Sequence, residues 1–502
     1  MIRVISASKD CYITNKIINN RFRATDANVG QAGTLDLFKL YNESSLPDED
    51  KPTESSRLLL YFGLEDIKSM HDSGKINVGD DSFKSYVQLH DVYGGQTTPS
   101  NFNVIIFPLA KEFDEGKGFD IAEFKDLGSS NWITASYKHG TLTEWTLPGA
   151  NKSGSLGDND IDIIVSGTIA GEAKTFCSEQ FFETGEEDLK IDVTTFVSSS
   201  VKEDVSNKGF LVAFSGSYEK DKNSYFVKRF ASRNTSNTAL QPKLIVKYDD
   251  AIIDNHGNFV FDYTGSLYLN NYSRSEASNI KNSDNTDIAP TGTMILKIRS
   301  GSFEKDFEVS QALRGTNRIT GLYSASFALS SYDNLIKEAL KSKKEIEFTE
   351  IWSSPDETIT YLSSSFKVKK NERSSLVFRE RRLLATTLNL NDRYDTSDVV
   401  KIRLFIENAD REVVFSKGPI DKPSEIFENV HYSVKDSVTG KTIIPFDTAK
   451  NSTRLSADSI GMYYDFHMSN LPRGRSYVFE YLVVQGGINT YITDAAAKFV
   501  VE

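Results

Sequence analysis

The feature that most constrains this chain is a recurring short run of alternating apolar and polar residues. Such runs occur at 57–64, 85–93, 101–109, 161–167, 209–216 and 242–248, with Gly, Asn, Asp and Ser residues between them. A period of two places apolar side chains on one face of a strand. Several short strands per hundred residues, separated by turn residues, indicate β-sandwiches rather than βαβ units. We therefore predict an all-β protein with very little helix.

One short helix is expected within residues 330–344. There Leu335, Ile336 and Leu340 are spaced to share one face, behind a cap at Ser331 or Asp333.

The length of 502 residues exceeds what one core supports. A stretch rich in Ser, Asn and Asp at 270–292 and a polar stretch at 388–399 indicate two seams. The predicted domains are 1–250, 251–392 and 393–502, and the two smaller ones have the size of immunoglobulin-like sandwiches.

Charge and motifs exclude several functions. The formal net charge of −12 argues against binding nucleic acid or an anionic membrane surface, since both need a basic face. No stretch approaches the roughly 18 apolar residues of a membrane helix, and residues 1–12 lack the apolar region of a signal peptide. We therefore expect synthesis in a cytoplasm. Cys11 and Cys177 are predicted to be free thiols, with a bridge between them as the alternative.

Motifs of catalysis and cofactor binding are also missing from the sequence. The six histidines lack metal-ligand spacing, and no nucleophile elbow, phosphate loop or dinucleotide fingerprint occurs. We predict no catalytic residue, no cofactor and no metal. Acidic runs at 157–162 and 282–287 could supply oxygen ligands to Ca²⁺, but the default interpretation is solvated turn acids.

A dense polar cluster lies inside residues 224–250. Asn234 can bond nearby backbone in a tight connection, and Pro242 suits a strand start. Arg233 can fork onto carbonyls or onto an acid such as Asp192 and lock a corner between strands. The alternative is a ligand site formed by Arg229, Arg233 and Asn234.

Near the end of the chain, Leu471, Gly474 and Tyr477 have the spacing of a tyrosine corner. In such corners a Tyr hydroxyl bonds back to the preceding turn. This spacing predicts an immunoglobulin- or fibronectin-like sandwich, in which Tyr477 has a structural role.

Several short elements follow one another in the first 250 residues. They are Asn28 with Gly30, Arg57, 192–194, Gly209 with Phe210, 230–233 and 242–248. Their order resembles the DNRLRE family, a disaggregatase-related jelly-roll module. The resemblance implies a jelly-roll-like sandwich over 1–250 and a corner role for Asp192 and Arg233. The chain departs from the family between about 110 and 160.

That departure is long and rich in aromatic residues. Trp132, Tyr137 and Trp145 lie in it, and exposed rings there could stack on sugars or anchor a protein partner. The alternative is that Trp132 and Trp145 close the end of the sandwich.

A second resemblance covers nearly the whole chain and is carried by the stretches 1–41, 321–332, 348–354, 423–432 and 443–483. In these stretches the chain shows a resemblance to virion structural proteins of contractile-tailed phages of marine bacteria. It implies a component of the neck or collar, the tail or the baseplate periphery, present in several symmetric copies, which could serve as an attachment point for fibres. Its partners would be other virion proteins, and it would leave the host by lysis.

Two alternatives stay open. One is a carbohydrate-binding adhesion module for host surface glycans, which the jelly-roll resemblance and the aromatic insertion favour. The weaker one is a polysaccharide-cleaving enzyme, which needs two carboxylates about 5–9.5 Å apart across a groove, and the sequence does not single out such a pair.

Overall fold

The structure is a computed structural model that describes residues 1–92, 99–122, 124–138, 140–281, 285–288, 294–371, 382–410 and 423–502. Its contacts divide the chain into two compact units. The jelly-roll unit comprises Ile2–Ser69 and Phe83–Lys247, and the C-terminal unit comprises Met1, Met70–Ser82 and Tyr248–Glu502. Of the predicted stretches, Tyr93, 282–284 and 289–292 lie outside the described residues.

The strands of the jelly-roll unit, numbered in chain order, are β1 (Ile2–Ser6), β2 (Lys9–Thr14), β3 (Ile17–Ile18), β4 (Phe22–Arg23), β5 (Thr34–Tyr41), β6 (Thr53–Tyr61), β7 (Lys84–Leu89), β8 (Asp91–Val92), β9 (Phe102–Pro108), β10 (Thr134–Lys138), β11 (Thr141–Glu144), β12 (Ser153–Ser155), β13 (Ile163–Ile169), β14 (Glu172–Thr175), β15 (Ser178–Phe182), β16 (Leu189–Asp192), β17 (Phe210–Phe214), β18 (Tyr225–Ala231) and β19 (Lys243–Lys247).

Eight of these strands form two facing sheets. One sheet has the order β1-β19-β7-β16, and the other contains the order β6-β17-β9-β15. Counting these eight strands along the chain, the orders are 1-8-3-6 and 2-7-4-5, which is the jelly-roll arrangement of two Greek keys. Strands β2, β5 and β18 extend the second sheet beyond β6.

The two sheets differ in how their faces are buried. Residues alternate between buried and partly exposed along β7 and β19, as expected for a sheet with one solvated face. Every residue of β17 is buried. Leu59 and Leu211 are paired across β6 and β17, and both lie in a hydrophobic cluster that also contains Trp145, Ala135 and Ala150 of the insertion. The insertion therefore covers the outer face of the second sheet.

The strands of the C-terminal unit are β20 (Thr264–Asn270), β21 (Tyr272–Ser273), β22 (Glu276–Ala277), β23 (Met294–Ser300), β24 (Phe303–Arg314), β25 (Asn317–Ala328), β26 (Glu345–Ser353), β27 (Thr360–Lys369), β28 (Leu383–Thr387), β29 (Arg393–Tyr394), β30 (Val399–Asn408), β31 (Val430–Asp436), β32 (Thr442–Ile444), β33 (Ser456–Ala457), β34 (Met462–His467), β35 (Arg475–Gln485) and β36 (Ile488–Val501).

The first half of this unit is a six-stranded antiparallel sheet that folds over a core. Its order is β20-β25-β24-β23-β26-β27. The twelve-residue strand β24 pairs with β23 through its first half and with β25 through its second half. Phe259, Leu267, Leu296, Tyr323 and Trp352 belong to the buried cluster that this sheet encloses. We call this part the middle sandwich.

The second half is a sandwich of two sheets, ordered β28-β30-β34-β33 and β29-β36-β35-β31-β32. Strand β28 pairs with β30 although the predicted boundary at 392 places β28 in the middle domain. This third sandwich therefore begins by residue 383. The all-β, sandwich-based fold class predicted from the periodicity is confirmed.

The helices among the described residues are α1 (Glu65–Asp72), α2 (Thr194–Val201), α3 (Gly216–Lys220) and α4 (Asn334–Ala339), with short 3₁₀ turns at Thr238–Leu240, Asn255–Gly257 and Met468–Asn470. In α4 the Asp333 side chain accepts a hydrogen bond from the Leu335 backbone N–H, so Asp333 is the cap. Ile336 and Leu340 are buried, whereas Leu335 is exposed, which corrects the predicted apolar face. Within the described ranges, no helix has the length and hydropathy needed to cross a membrane.

Candidate interaction surface

Trp145 is the main anchor of the insertion. It is buried in the cluster above the second sheet. Its indole Nε1 donates a hydrogen bond to the carbonyl of Asn131 at 3.0 Å. The Asn131 side-chain oxygen in turn accepts bonds from the backbone N–H groups of Ile133 and Thr134. Trp145 is thus a core residue of the jelly-roll unit and is not available to a partner.

Trp132 is half-buried against the same cluster. A Cβ on Gly149 would come within 2.6 Å of the Trp132 ring, so the ring and this backbone are in tight contact. The guanidinium of Arg57 lies 5.8 Å from the ring centroid and donates to the Gly149 carbonyl. Glu219 pairs with Arg57 at 2.9 Å. Trp132 therefore contributes mainly to closing the outer layer.

Asp162 organises the acidic run 157–162 internally. Its fully buried carboxylate accepts hydrogen bonds from the backbone N–H groups of Thr146, Leu147 and Lys152 and pairs with Lys111 at 3.1 Å. Asp158 accepts a bond from the Ser155 N–H. These carboxylates act as turn acids, and the described residues contain no cluster of three or more metal-ligating side chains.

The exposed part of the insertion is the hairpin formed by β10 and β11. Tyr137 and Leu142 lie opposite each other in its register, so their side chains share one face. They are 54% and 48% exposed. The Tyr137 side chain lies against Gly128, because a Cβ there would be only 3.2 Å away. Of the three predicted aromatic residues, Tyr137 alone is mainly on the surface.

The loop before the hairpin adds further exposed apolar side chains. Phe119 and Leu127 are each more than half exposed, and Phe22, which lies in β4 and not in this loop, is 47% exposed. The ring centroid of Phe124 lies 5.9 Å from that of Phe22. Sequence inspection missed Phe119, Leu127 and Leu142. Of these three residues, only Leu142 could have been predicted from the sequence, because a Gly-containing turn after Tyr137 and Lys138 places it opposite Tyr137 in a hairpin.

A cavity of about 340 Å³ lies beside the insertion, between the 156–161 loop and Val205. The two lysines in its wall already have partners. Lys111 pairs with Asp162, and Lys208 donates to the Ala110 carbonyl. The cavity therefore presents turn acids and backbone rather than an uncompensated cation.

The polar cluster at 224–250 forms a corner tied to the start of the unit. Arg233 Nη1 donates to both carboxylate oxygens of Glu115, at 3.0 and 2.8 Å. The Arg233 backbone N–H donates to Asp10 at 2.6 Å, and the Asp10 N–H donates to Glu115. The Arg233 side chain is 33% exposed, so it lies at the edge of the fold and not in its centre. These contacts fix the chain segment after β18.

Asp10 is the unusual member of this corner. Its Oδ1 is buried without a hydrogen-bond partner. Burial raises the pKa of Asp10 to about 7, the Arg233 N–H opposes this, and the Glu115 charge adds to it. The carboxyl is therefore half protonated near neutral pH.

Asp192, the predicted partner of Arg233, lies elsewhere. It is exposed at the end of β16, and its carboxylate accepts a hydrogen bond from the Thr194 N–H at the start of α2. Asp192 shapes that turn and makes no contact with Arg233. The correct partner, Glu115, could not be singled out because it lies 118 residues away in the chain.

Tyr477 ties the corresponding corner of the third sandwich. Its hydroxyl donates to the carbonyl of Pro472 at 2.6 Å, and the residue is buried. This contact is the one that defines a tyrosine corner. Burial raises the pKa of Tyr477 far above neutral, so the hydroxyl stays protonated.

His256, Asp254 and Glu350 form a second buried polar cluster, in the C-terminal unit. His256 Nδ1 lies 2.5 Å from Asp254, and Nε2 lies 3.0 Å from both oxygens of Glu350. Burial lowers the pKa of His256, but bonds to the two carboxylates raise it overall, to about 10. The Trp352 indole also donates to Glu350. Two carboxylates hold the imidazole between them in its protonated form, which is the arrangement of a structural tie rather than of a poised base.

Cys11 and Cys177 are both free thiols, as predicted.

No family model and no curated protein matches the chain. Among solved structures, fibronectin(III)-like modules of CbhA from Clostridium thermocellum align at 8% identity and a TM-score of 0.14, covering 51% of this chain and 92% of theirs. Trypsin-activated alpha-2-macroglobulin from Escherichia coli aligns at 9% identity and a TM-score of 0.15, covering 91% of this chain and 23% of its own. A Salmonella alpha-2-macroglobulin mutant aligns at 10% identity and a TM-score of 0.12, covering 98% of this chain and 34% of its own. At such scores the fold assignment depends on the strand order itself.

Proposed function

We propose that this chain is a structural component of a tailed-phage particle, in the neck or collar, the tail or the baseplate periphery, which acts through protein–protein contacts. The observation that carries the proposal is the contrast inside the insertion. Asn131 and both Trp residues are engaged internally, while Tyr137, Leu142 and Leu127 remain exposed. Exposed aromatic and aliphatic side chains on a rigid support suit a protein interface. The resemblance of five stretches to virion proteins supports the same role.

The proposal is tested by incorporation into particles. The double variant Tyr137→Ser/Leu142→Ser removes apolar contacts from the hairpin face without touching the buried anchors. We expect it to fold normally but to fall at least tenfold in copy number per purified particle, measured by quantitative mass spectrometry. The matched control is Val438→Ser/Ile460→Ser, which removes two side chains that are at least as exposed on turns of the third sandwich. Equal incorporation of both variants would reject the hairpin as the contact surface.

A carbohydrate-binding adhesion module is the second candidate. It is favoured by the Tyr137 ring, which is exposed and lies against Gly128 as a flat platform. A glycan array with the full chain tests this role. Binding that Tyr137→Ala abolishes would support it, and absence of binding to any host surface glycan would remove it.

A further inference from the structure

The middle sandwich carries a cluster of lysines although the chain as a whole is acidic. The cluster, which we call the lysine surface, consists of Lys341, Lys343, Lys344, Lys367, Lys369 and Lys370. All six are exposed. The formal net charge of the whole chain is −12, so this surface has the opposite sign to the molecule that bears it.

Backbone pairing brings the two halves of the lysine surface together. The Lys370 N–H donates to the Lys344 carbonyl at 2.8 Å. Glu345 and Lys369 are partners in the register between β26 and β27. The Lys343 N–H bonds to the Ala339 carbonyl at the end of α4. The lysines therefore occupy adjacent ends of two strands and the turn that precedes them.

The carboxylates nearby neutralise only part of this charge. Glu338 pairs with Lys341, and Glu345 pairs with Lys367. Among the residues that the structure describes, Lys343, Lys369 and Lys370 have no carboxylate within ion-pairing distance. Neighbouring like charges repel, so an acidic surface placed here would relieve that repulsion. Leu335, on the helix before the lysines, adds an exposed apolar side chain.

The jelly-roll unit presents a surface of matching chemistry. Residues 178–189, which cover β15 and the turn into β16, contain five carboxylates and no Lys, Arg or His. Glu187 and Asp188 hold the turn by accepting backbone N–H bonds, and Asp188 also pairs with His90 at 2.9 Å. Glu183 and Glu186 are both exposed. Phe181, on β15, is 54% exposed. We call residues 178–189 the acidic turn.

We propose that the lysine surface docks the acidic turn of a second copy of this chain. Each side offers clustered charge of opposite sign and one exposed apolar side chain, so the two surfaces are complementary in charge and in hydrophobic content. The contact joins two different patches, so a copy that binds through one patch still offers the other, and an open assembly keeps one free patch of each kind. Such a contact propagates head to tail and forms a ring or a string of copies.

This inference names a partner within the proposed function but does not depend on the phage context. Self-association can be present in a protein that never enters a particle, and incorporation can occur without it.

The experiment uses two charge-reversed variants of the full chain. One is Lys343→Glu/Lys370→Glu, and the other is Glu183→Lys/Glu186→Lys; neither touches the residues that hold the turn or the Lys–Glu pairs. The control, Lys441→Glu/Lys498→Glu, makes the same change in net charge as Lys343→Glu/Lys370→Glu, but at exposed sites of the third sandwich. Sedimentation velocity is measured from about 1 to 100 µM protein, at low ionic strength and at about 0.5 M NaCl, where the Debye length falls below about 5 Å.

We expect the native chain and the control to associate at low salt, with a concentration-dependent mass beyond the dimer, and to dissociate at high salt. Each charge-reversed variant alone should bind itself at least tenfold more weakly. Mixed in equal amounts, the two variants should associate again, because the native lysine surface of one faces the native acidic turn of the other. The two reversed surfaces also have opposite charge, so they can pair in the same way.

Three results would overturn the proposal. The first is a native chain that stays monomeric at all concentrations at low salt. The second is a control variant whose self-association is weakened as much as that of the charge-reversed variants. The third is a mixture of the two charge-reversed variants that stays monomeric. A further arm adds heparin as a polyanion. Heparin binding that depends on Lys343 and Lys370, in a chain that never self-associates, would assign the lysine surface to a different class of ligand and reject docking of a second copy.

Discussion

In the jelly-roll unit a corner is tied by charge, through Arg233, Glu115 and Asp10, whereas in the third sandwich Tyr477 ties a corner through one neutral hydrogen bond to Pro472. Both fix a connection next to a strand, and both lie in polar stretches of sequence. The first contains a carboxyl whose pKa burial raises to about 7, and the second contains a hydroxyl that stays protonated. The difference predicts that pH and salt act on one corner and not on the other.

The largest expected effect is at the neutral corner. Tyr477→Ala removes a buried ring as well as the bond to Pro472, and should lower the free energy of unfolding of the third sandwich by about 3–5 kcal/mol. Tyr477→Phe keeps the ring and removes only the hydroxyl, for a loss of about 1 kcal/mol. Chemical denaturation measures both values. Equal losses in the two variants would show that the hydroxyl, and not the packing of the ring, dominates.

The next effect is the pH dependence of the charged corner. The folded-state pKa of Asp10 is raised above its unfolded value, so its contribution to stability is full below pH about 4 and is lost as pH rises through about 7. Between these limits the slope approaches about 1.4 kcal/mol per pH unit. In Asp10→Asn the side chain cannot ionise, so this slope should disappear.

Hydrogen exchange at pH 4.5–6.5, monitored on peptides around 232–241, separates this corner from the rest. In that window His256 is protonated in the folded state, where its pKa is about 10. In the unfolded state an ordinary His has a pKa of about 6.5, so through most of the window it is protonated there as well and adds little slope. Peptides around 470–480 should not lose protection as pH rises. His431, in the strand paired with β35, has a pKa that burial lowers to about 4, so raising the pH in this window favours the folded third sandwich. An unchanged slope in Asp10→Asn would contradict the assignment of the titration to Asp10.

A smaller effect is expected from the ion pair. Arg233 is one-third exposed, so solvent screens its pairing with Glu115, and Arg233→Ala should cost about 1 kcal/mol and less at high salt. In a double-mutant cycle, Arg233→Ala should couple to Glu115→Ala and be additive with Asp192→Ala. Coupling to Asp192 instead would restore the partner expected from the sequence.

The smallest effect on stability is expected at the hairpin. Tyr137→Ser should change the free energy of unfolding by less than about 0.5 kcal/mol, because the ring is mainly exposed. The matched comparison is Trp145→Ala, which empties a buried site and should cost about 3–5 kcal/mol. Thermal denaturation of both variants ranks them, and a large loss in Tyr137→Ser would mean that the hairpin is part of the core.

The sequence predicted those parts of the molecule that local periodicity and local spacing determine. Alternation in β7 and β19 marks a sheet with one covered face, and Tyr477 bonds a residue only five positions earlier. Contacts between distant segments could not be predicted. Glu115 pairs with Arg233 although 118 residues separate them in the chain. The insertion buries the second face of β17, and the residue pattern of that strand alone did not predict a covered outer face. Trp145 was open to two interpretations, because sequence spacing does not reveal that its indole N–H has a buried partner in the carbonyl of Asn131.

The most direct test of the central claim, that this chain works as a contact-forming component of a phage particle, is cryo-electron microscopy of intact particles labelled with an antibody fragment against residues 1–250. The account predicts fragment density at regular, symmetry-related positions on the neck, tail or baseplate periphery. A chain recovered only as free protein from the lysate, with unlabelled particles, would contradict it.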